Sequence, residues 1–250
     1  MFFPTEGGRE ERGLEMNCST PVMRWYIDNM KKSEYSRVRA KWRRWIKRIR
    51  DSAFLILLDD YIFRKSMEAA QKGNVIEPTN EVYRWAMRIY ASHAAIGVRR
   101  LLDKDDRTYS LLLLLSKIEK NPQVITRRSF VLRYSLSRRD IAMSDFDDLA
   151  GSGVKSLPHN AVRADLNKLF AISDRIRPIV NKVIAHHQRK PRGLTKPTWQ
   201  EIHDAIDQIV QICDRYHRIL NQVGTISMLP SINVSNADRD VDIVWAKKTA

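Results

Sequence analysis

The chain has 250 residues, 43% of them hydrophobic, which is enough for one large domain or two small ones with an ample core and too apolar for wholesale disorder. It carries 44 Lys and Arg against 29 Asp and Glu, a formal net charge of +15, so a polyanion is the expected partner, because cations at phosphates release condensed counterions. Its two cysteines, Cys18 and Cys213, stand too far apart for a disulfide framework or a thiolate metal site; they read as reduced thiols in a cytoplasmic protein.

Residues 1–19 are polar and rich in Gly and Glu, the composition of a mobile tail, and lack the basic and apolar regions of a secretory signal. One helical domain is expected over 20–224, followed by a second tail, 225–250, whose short apolar run Val241–Trp245 is suited to docking on the bundle. Between Lys31 and Arg50 basic residues face a single acid, Glu34. Through them run Tyr35, Val38, Trp42, Trp45 and Ile49 at three- and four-residue steps, an apolar seam on one helix face. Arg43, Arg44, Lys47 and Arg48 then form a cationic face suited to RNA. A solvated face, or a helix lying on an acidic membrane surface, are the competing readings.

The helix continues through 51–71, and Gly73 ends it. Asn80 is placed to cap a helix reaching Leu102. Asp103–Arg107 makes a turn, and Thr108 or Ser110 starts the helix with five consecutive leucines. The longest apolar runs, Ala53–Leu58 and Leu111–Leu115, are far too short to span a membrane. Ser144 to Asp147 has the pattern of a capping box, predicting a short helix that ends near Ala150, before the joint Gly151-Ser-Gly153.

Asn160 is the expected cap of the next helix, whose apolar stripe includes Ile176, Ile179, Val180, Val183 and Ile184. Pro178 interrupts that stripe, where proline removes a backbone donor at a cost of about 3 kcal/mol. His186 and His187 end the run just where Arg189, Lys190 and Arg192 begin. Thr198 and Glu201 predict a second capping box. After it Ile202, Ile206, Ile209, Cys213, Tyr216, Leu220 and Val223 form a heptad-like seam, with more apolar surface than one neighbour needs. The short loop makes these two helices antiparallel. The prediction is an all-α bundle of long antiparallel helices, pairing 160–187 and 198–223 with helices from 33–71 and 80–103.

The stretch VNKVIAHHQRK, with YRWAMRIYASHAAIGVRRLLDKDDRTYSLLLLLSKI upstream and TWQEIHDAIDQIVQICDRYHRIL downstream, resembles the HEPN superfamily, especially its abortive-infection AbiU-type branch. The likeness covers most of residues 35–223. It implies a HEPN-like bundle, a homodimer, and metal-independent RNA cleavage with no cofactor. In that chemistry the ribose 2′-OH attacks the adjacent phosphate, a histidine moves protons, and an arginine steadies the charged phosphorane. The family pattern is an arginine, often followed by a polar residue, then a histidine. His186 matches the histidine and Asn181 the polar residue; Val180 stands where the arginine would be. Lys182, Arg189, Lys190 and Arg192 are the cations nearest the motif, placed to hold RNA or to stand in for that arginine. Arg177 lies nine residues from His186, about 180° around a straight helix.

Arg88-Ile-Tyr-Ala-Ser-His93 also fits an arginine, four residues and a histidine, in a different helix. The doublets Asp59-Asp60, Asp105-Asp106 and Asp147-Asp148 point in different directions on a helix and make poor metal clamps. No phosphate-binding glycine loop, paired-cysteine motif or nucleophile elbow is present. Three readings stay open: a ribonuclease acting in phage defence or as a toxin, a non-catalytic HEPN module that binds RNA or nucleotide, and a protein-binding half of a toxin–antitoxin pair.

Overall fold

Helical periodicity resolves into seven α-helices in a computed structural model that describes residues 21–72, 81–185, 195–222 and Asp238, with the backbone alone at 21–28, at Lys72 and at 183–185. No strand occurs among them; a lone antiparallel bridge joins Thr126 to Ser156. The chain divides into two units between Arg37 and Val38. In the first, residues 21–37 are helical, and the second holds the bundle.

Helix α1 (Pro21–Lys72) runs for 52 residues without an internal glycine. Trp42, Trp45, Ile46, Ile49, Ala53, Ile56 and Phe63 are buried, so the expected seam holds from Trp42 to Ile49 and runs on to Phe63, while Tyr35 and Val38 are only half-buried. Helix α2 (Glu81–Leu101) packs antiparallel against α1. The approach is close at Gly97, where an added Cβ would lie 2.8 Å from Ile56 Cδ1. The Asp103–Arg107 turn follows, tightened by the Arg107 guanidinium on Asp105. Ser110 then caps α3 (Leu111–Lys120), its Oγ accepting from the Leu113 N–H at 3.1 Å. All five leucines of α3 are buried, so the run marks a helix surrounded on every side.

Thr126 caps the short α4 (Arg127–Val131) in a capping box with Ser129. Helix α5 (Arg139–Ala150) ends at Gly151, whose φ of +107° favours glycine. Its start differs from expectation. Ser144 lies inside α5, because the 3-10 turn Leu136–Arg138 already feeds the chain into the helix and Asp140 complements the dipole of its first turn. Helix α6 (His159–Ile179) begins one residue before Asn160, after Pro158, and Asn160 accepts only from the neighbouring Ala161 N–H. Helix α7 (Trp199–Asn221) carries the predicted capping box. Glu201 N donates to Thr198 Oγ1 at 3.1 Å and Thr198 N to Glu201 Oε2 at 2.6 Å.

Helices α1, α2, α6 and α7 surround the main core. Helix α3 lies on α6, and α5 joins α7 where Arg215 donates to Asp165 (2.8 Å) and to the Leu149 carbonyl. The α7 seam is fully used inside the chain: Ile202, Ile206, Ile209, Cys213, Tyr216 and Leu220 are all buried. Val223 lies outside the described residues, as do both predicted tails except Asp238, which accepts a 2.7 Å hydrogen bond from Tyr61 on α1. Among the described residues no helix is long and apolar enough to cross a membrane.

His217 sits on the same inner face of α7 and is buried. Burial, then the charges of Arg50 and Lys47, push its imidazole down to about 4. The folded protein therefore keeps His217 neutral while the unfolded chain protonates it near pH 6.5. Below that value the unfolded state holds more protons, so stability falls with pH, by about 3 kcal/mol at most between pH 6.5 and 4. His217→Gln should flatten this part of the profile. Urea unfolding at pH 7 and pH 4.5 checks it, and an equal loss in both proteins would rule the account out.

Candidate functional site

The motif segment begins where Pro178 enters the last turn of α6. The helix does not break there. Val180 N–H donates to the Ile176 and Arg177 carbonyls, and the chain widens into a π-helical turn over Val180–Ala185. A π-turn accommodates the donor that proline lacks without ending the helix. The turn packs against α6 and α2. Within it Val180 is buried at 3% exposure, Asn181 is half-buried and Lys182 is exposed. Val180 thus faces the core, and a cation could not reach phosphate from it without moving. Arg177, one turn earlier, is exposed and lines a small cavity of about 90 Å³ with Arg99, Lys104 and Ser173. His186, His187, Arg189, Lys190 and Arg192 lie outside the described residues.

The far end of this segment is tied down by Arg175. Its guanidinium donates to the Thr195 carbonyl (2.7 Å), the Lys196 carbonyl (3.2 Å) and both Glu201 oxygens (3.0 Å each). The Arg175 contact, with the Thr198 N–H, holds the Glu201 carboxyl down at about 2. The capping glutamate of α7 is therefore also the anchor of the α6–α7 hairpin.

Beside the start of α7 lies a polar cluster that sequence reasoning missed. Asp60, at 1% exposure, accepts hydrogen bonds from the Tyr90 hydroxyl, from His203 Nδ1 at 2.5 Å, assigned as its protonated nitrogen, and from Arg64 Nη2 at 2.6 Å. Arg64 reaches Asp207 as well, at 3.2 Å. Burial, then the bond to Asp60, drives the Tyr90 phenol far above its ordinary range. Phe63 stacks on Tyr90 at 3.7 Å, and Trp199 closes over both. One carboxylate thus joins α1, α2 and α7. A signal was available: Asp60 stands within the apolar stripe Ala53, Ile56, Phe63, and a lone charge on a buried stripe must be paired.

Asp59 points elsewhere, as the doublet argument requires. Its Oδ2 meets His93 Nε2 at 2.8 Å in an exposed pair. This pair sits where two cavities meet between α1 and α2. One, of about 480 Å³, extends toward Arg48, Arg100 and Tyr109; the other, of about 360 Å³, toward Phe63, Met67 and Trp85. Arg88 lines neither. Five residues carry it about 140° around the helix from His93, so the literal Arg-x4-His match is not assembled as a site.

The cationic face of α1 is only partly free. Arg43 turns inward, donating from Nε to the Leu220 carbonyl at 2.8 Å, with Arg133 at 3.4 Å on the same oxygen. Both complement the C-terminal end of the α7 dipole. Burial, then the neighbouring Arg133, lowers the Arg43 guanidinium below its usual value. Arg44, Lys47 and Arg48 are exposed, with Arg48 lying 4.5 Å over the Tyr109 ring. Arg43 at Leu220 and Lys47 near His217 mark the end of α7, whereas the motif hairpin lies at its first turn. A helix of 23 residues separates the two by roughly 30 Å.

A family model, HEPN_AbiU2, described as AbiU2, matches residues 39–230, a span that contains every element from the exposed α1 cations to the end of α7. No curated protein and no solved structure matches the chain.

Proposed function

Because the chain belongs to the HEPN_AbiU2 family, a HEPN-type abortive-infection family, we propose that it is a cytoplasmic, homodimeric RNA-binding protein that cuts RNA without a metal in phage defence or as a toxin. The observation that carries this reading is the π-turn. It leaves Asn181 half-buried and Lys182 exposed, and both precede His186 and the basic residues in the sequence.

In this reading His186 moves the proton of the ribose 2′-OH as that oxygen attacks phosphorus. The P–O5′ bond breaks, leaving a 2′,3′-cyclic phosphate and a 5′-hydroxyl. Asn181 orients the histidine or the phosphate. With Val180 turned into the core, neutralising the phosphorane falls to Lys182, Arg189 and Arg192. The same burial of Val180 favours a second reading, a HEPN module that binds RNA, nucleotide or a partner such as an antitoxin without cleaving.

The test uses the full chain, labelled single-stranded RNA and EDTA. Binding should weaken with salt. The triple change Arg44→Ala, Lys47→Ala, Arg48→Ala should lower the slope of log affinity against log salt by about 2, since each single-strand phosphate contact contributes roughly 0.7. Cleavage that persists in EDTA and yields cyclic phosphate ends supports the enzyme. Salt-dependent binding without cleavage selects the non-catalytic module, and no RNA binding at low salt overturns the enzyme and leaves only a module that binds nucleotide or a protein partner.

A further inference from the structure

The inner seam of α7 leaves nothing apolar for a partner, but α2 does. Val82, Trp85, Ile89 and Ile96 are between 41% and 63% exposed, and His93 stands in the same row. Their spacing, 82–85–89–93–96, runs in steps of three, four, four and three. It reads the same in both directions from Ile89. On a helix these five positions fall within about 40° of one line. A row with that symmetry is self-complementary for an antiparallel copy of itself, the requirement of an isologous two-fold contact.

We propose that this row is the homodimer interface: α2 packs antiparallel on α2 of a second copy, with the two-fold axis passing at Ile89. The proposal rests on the homodimer of the functional reading and names its surface. Residue i then lies level with residue 178 − i of the second copy, as the spacing requires. Ile89 meets Ile89, Val82 meets Ile96, and Trp85 meets His93.

The third pairing is the most specific. His93 marks the junction of the two cavities, and the smaller of them, about 360 Å³, is walled by Ile62, Phe63, Met67, Ile89 and Tyr90. The second copy's Trp85 comes level with that junction, giving each indole a recess, and tryptophan is enriched among the residues that anchor interfaces. Leu55 and Ile62 of α1 are exposed, one along each of the two cavities, and widen the face. Together these side chains present on the order of 500 Å² per copy, taking 150–250 Å² for a large side chain and about half of it exposed. With a polar rim this approaches the roughly 800 Å² per partner of a stable interface. On the rim, Glu81 and the second copy's Arg99 fall on the same flank within two residues of register. Along α2, the like-charge approach of Arg88 to its counterpart is in solvent, where salt screens it.

The experiment is carried out on the full chain in a Cys18→Ser background, since Cys213 is buried. Light scattering across a concentration series gives the dimer constant. Ile89→Arg places two like charges on the axis and should weaken the dimer about a hundred-fold or more, with unchanged helical circular dichroism. Under mild oxidation Ile89→Cys should cross-link to itself, because residues on the axis of helices 8–10 Å apart fall within disulfide reach. Val82→Cys alone should not cross-link, whereas a mixture of Val82→Cys and Ile96→Cys should. A monomeric parent protein overturns the homodimer itself. A dimer that survives Ile89→Arg, or one in which Ile89→Cys fails to cross-link, leaves the homodimer standing and overturns this surface.

Discussion

Asp60→Ala is expected to remove about 3–5 kcal/mol of folding stability, the cost of breaking a buried ion pair from one side. The loss arises from what remains. Arg64, His203 and the Tyr90 hydroxyl all converge on this carboxylate, and without it His203 and Tyr90 lose their shared acceptor beside Phe63 and Trp199, while Arg64 keeps only Asp207. Water cannot easily replace a group that is 1% exposed. Asp60→Asn should cost less, because the amide oxygen still accepts while the charge on Arg64 loses its nearest partner. Asp59→Ala is the internal control: its pair with His93 is exposed, and such pairs contribute about 1 kcal/mol or less. Denaturant unfolding followed by circular dichroism compares the three. Equal effects at positions 59 and 60 would mean that the Asp60 cluster is not a keystone of the bundle.

His186→Ala is expected to lower RNA cleavage by 10²–10⁴-fold, the usual contribution of a general acid–base group, while leaving RNA affinity nearly unchanged. The separation of the two effects is what distinguishes a proton-transfer residue from a binding one. Lys182→Ala should act on the same step through charge, and Val180→Arg should raise activity only if the new guanidinium can leave the packed side of the π-turn. His93→Ala serves as the control, since His93 bonds Asp59 and Arg88 is turned away from it. Single-turnover cleavage in EDTA with all four variants is the measurement. Loss in His93→Ala with His186→Ala unaffected would transfer the chemistry to α2 and refute the assignment.

Most of the bundle was legible in the sequence because burial repeats. The Trp42–Ile49 seam, the Ile202–Leu220 seam and the Thr198–Glu201 box each state a helix face or a boundary, and each stands where periodicity puts it. Boundaries that depend on one local pattern fared less well. Ser144 has the chemistry of a cap, but a helix already under way has no free N–H groups for it to satisfy. The cluster at Asp60 was legible only in part: the stripe around Asp60 signals that a buried charge needs a partner, but the four members come from three helices separated by up to 143 positions, and no local pattern names those partners. Arg43 teaches the same lesson from the surface. Its neighbours announce a cationic face, but only the end of α7, 177 positions away, explains why this one guanidinium turns inward.

The π-turn at Val180–Ala185 has an evolutionary meaning as well. Such a turn is topologically an α-helix that has gained one residue, and each residue rotates the chain by about 100°. By Ala185 the backbone therefore presents a face about a quarter-turn away from the one an uninterrupted α6 would present. A single-residue deletion between Pro178 and Ala185 would restore the plain helix and swing the approach to His186 by that angle, with little change in composition or charge. In this chain such an indel would change the direction in which the segment after Ala185 leaves α6 while every residue of the segment's composition but one is retained. Two chains with identical motif residues but helices one residue different in length should then not be assumed to share an activity.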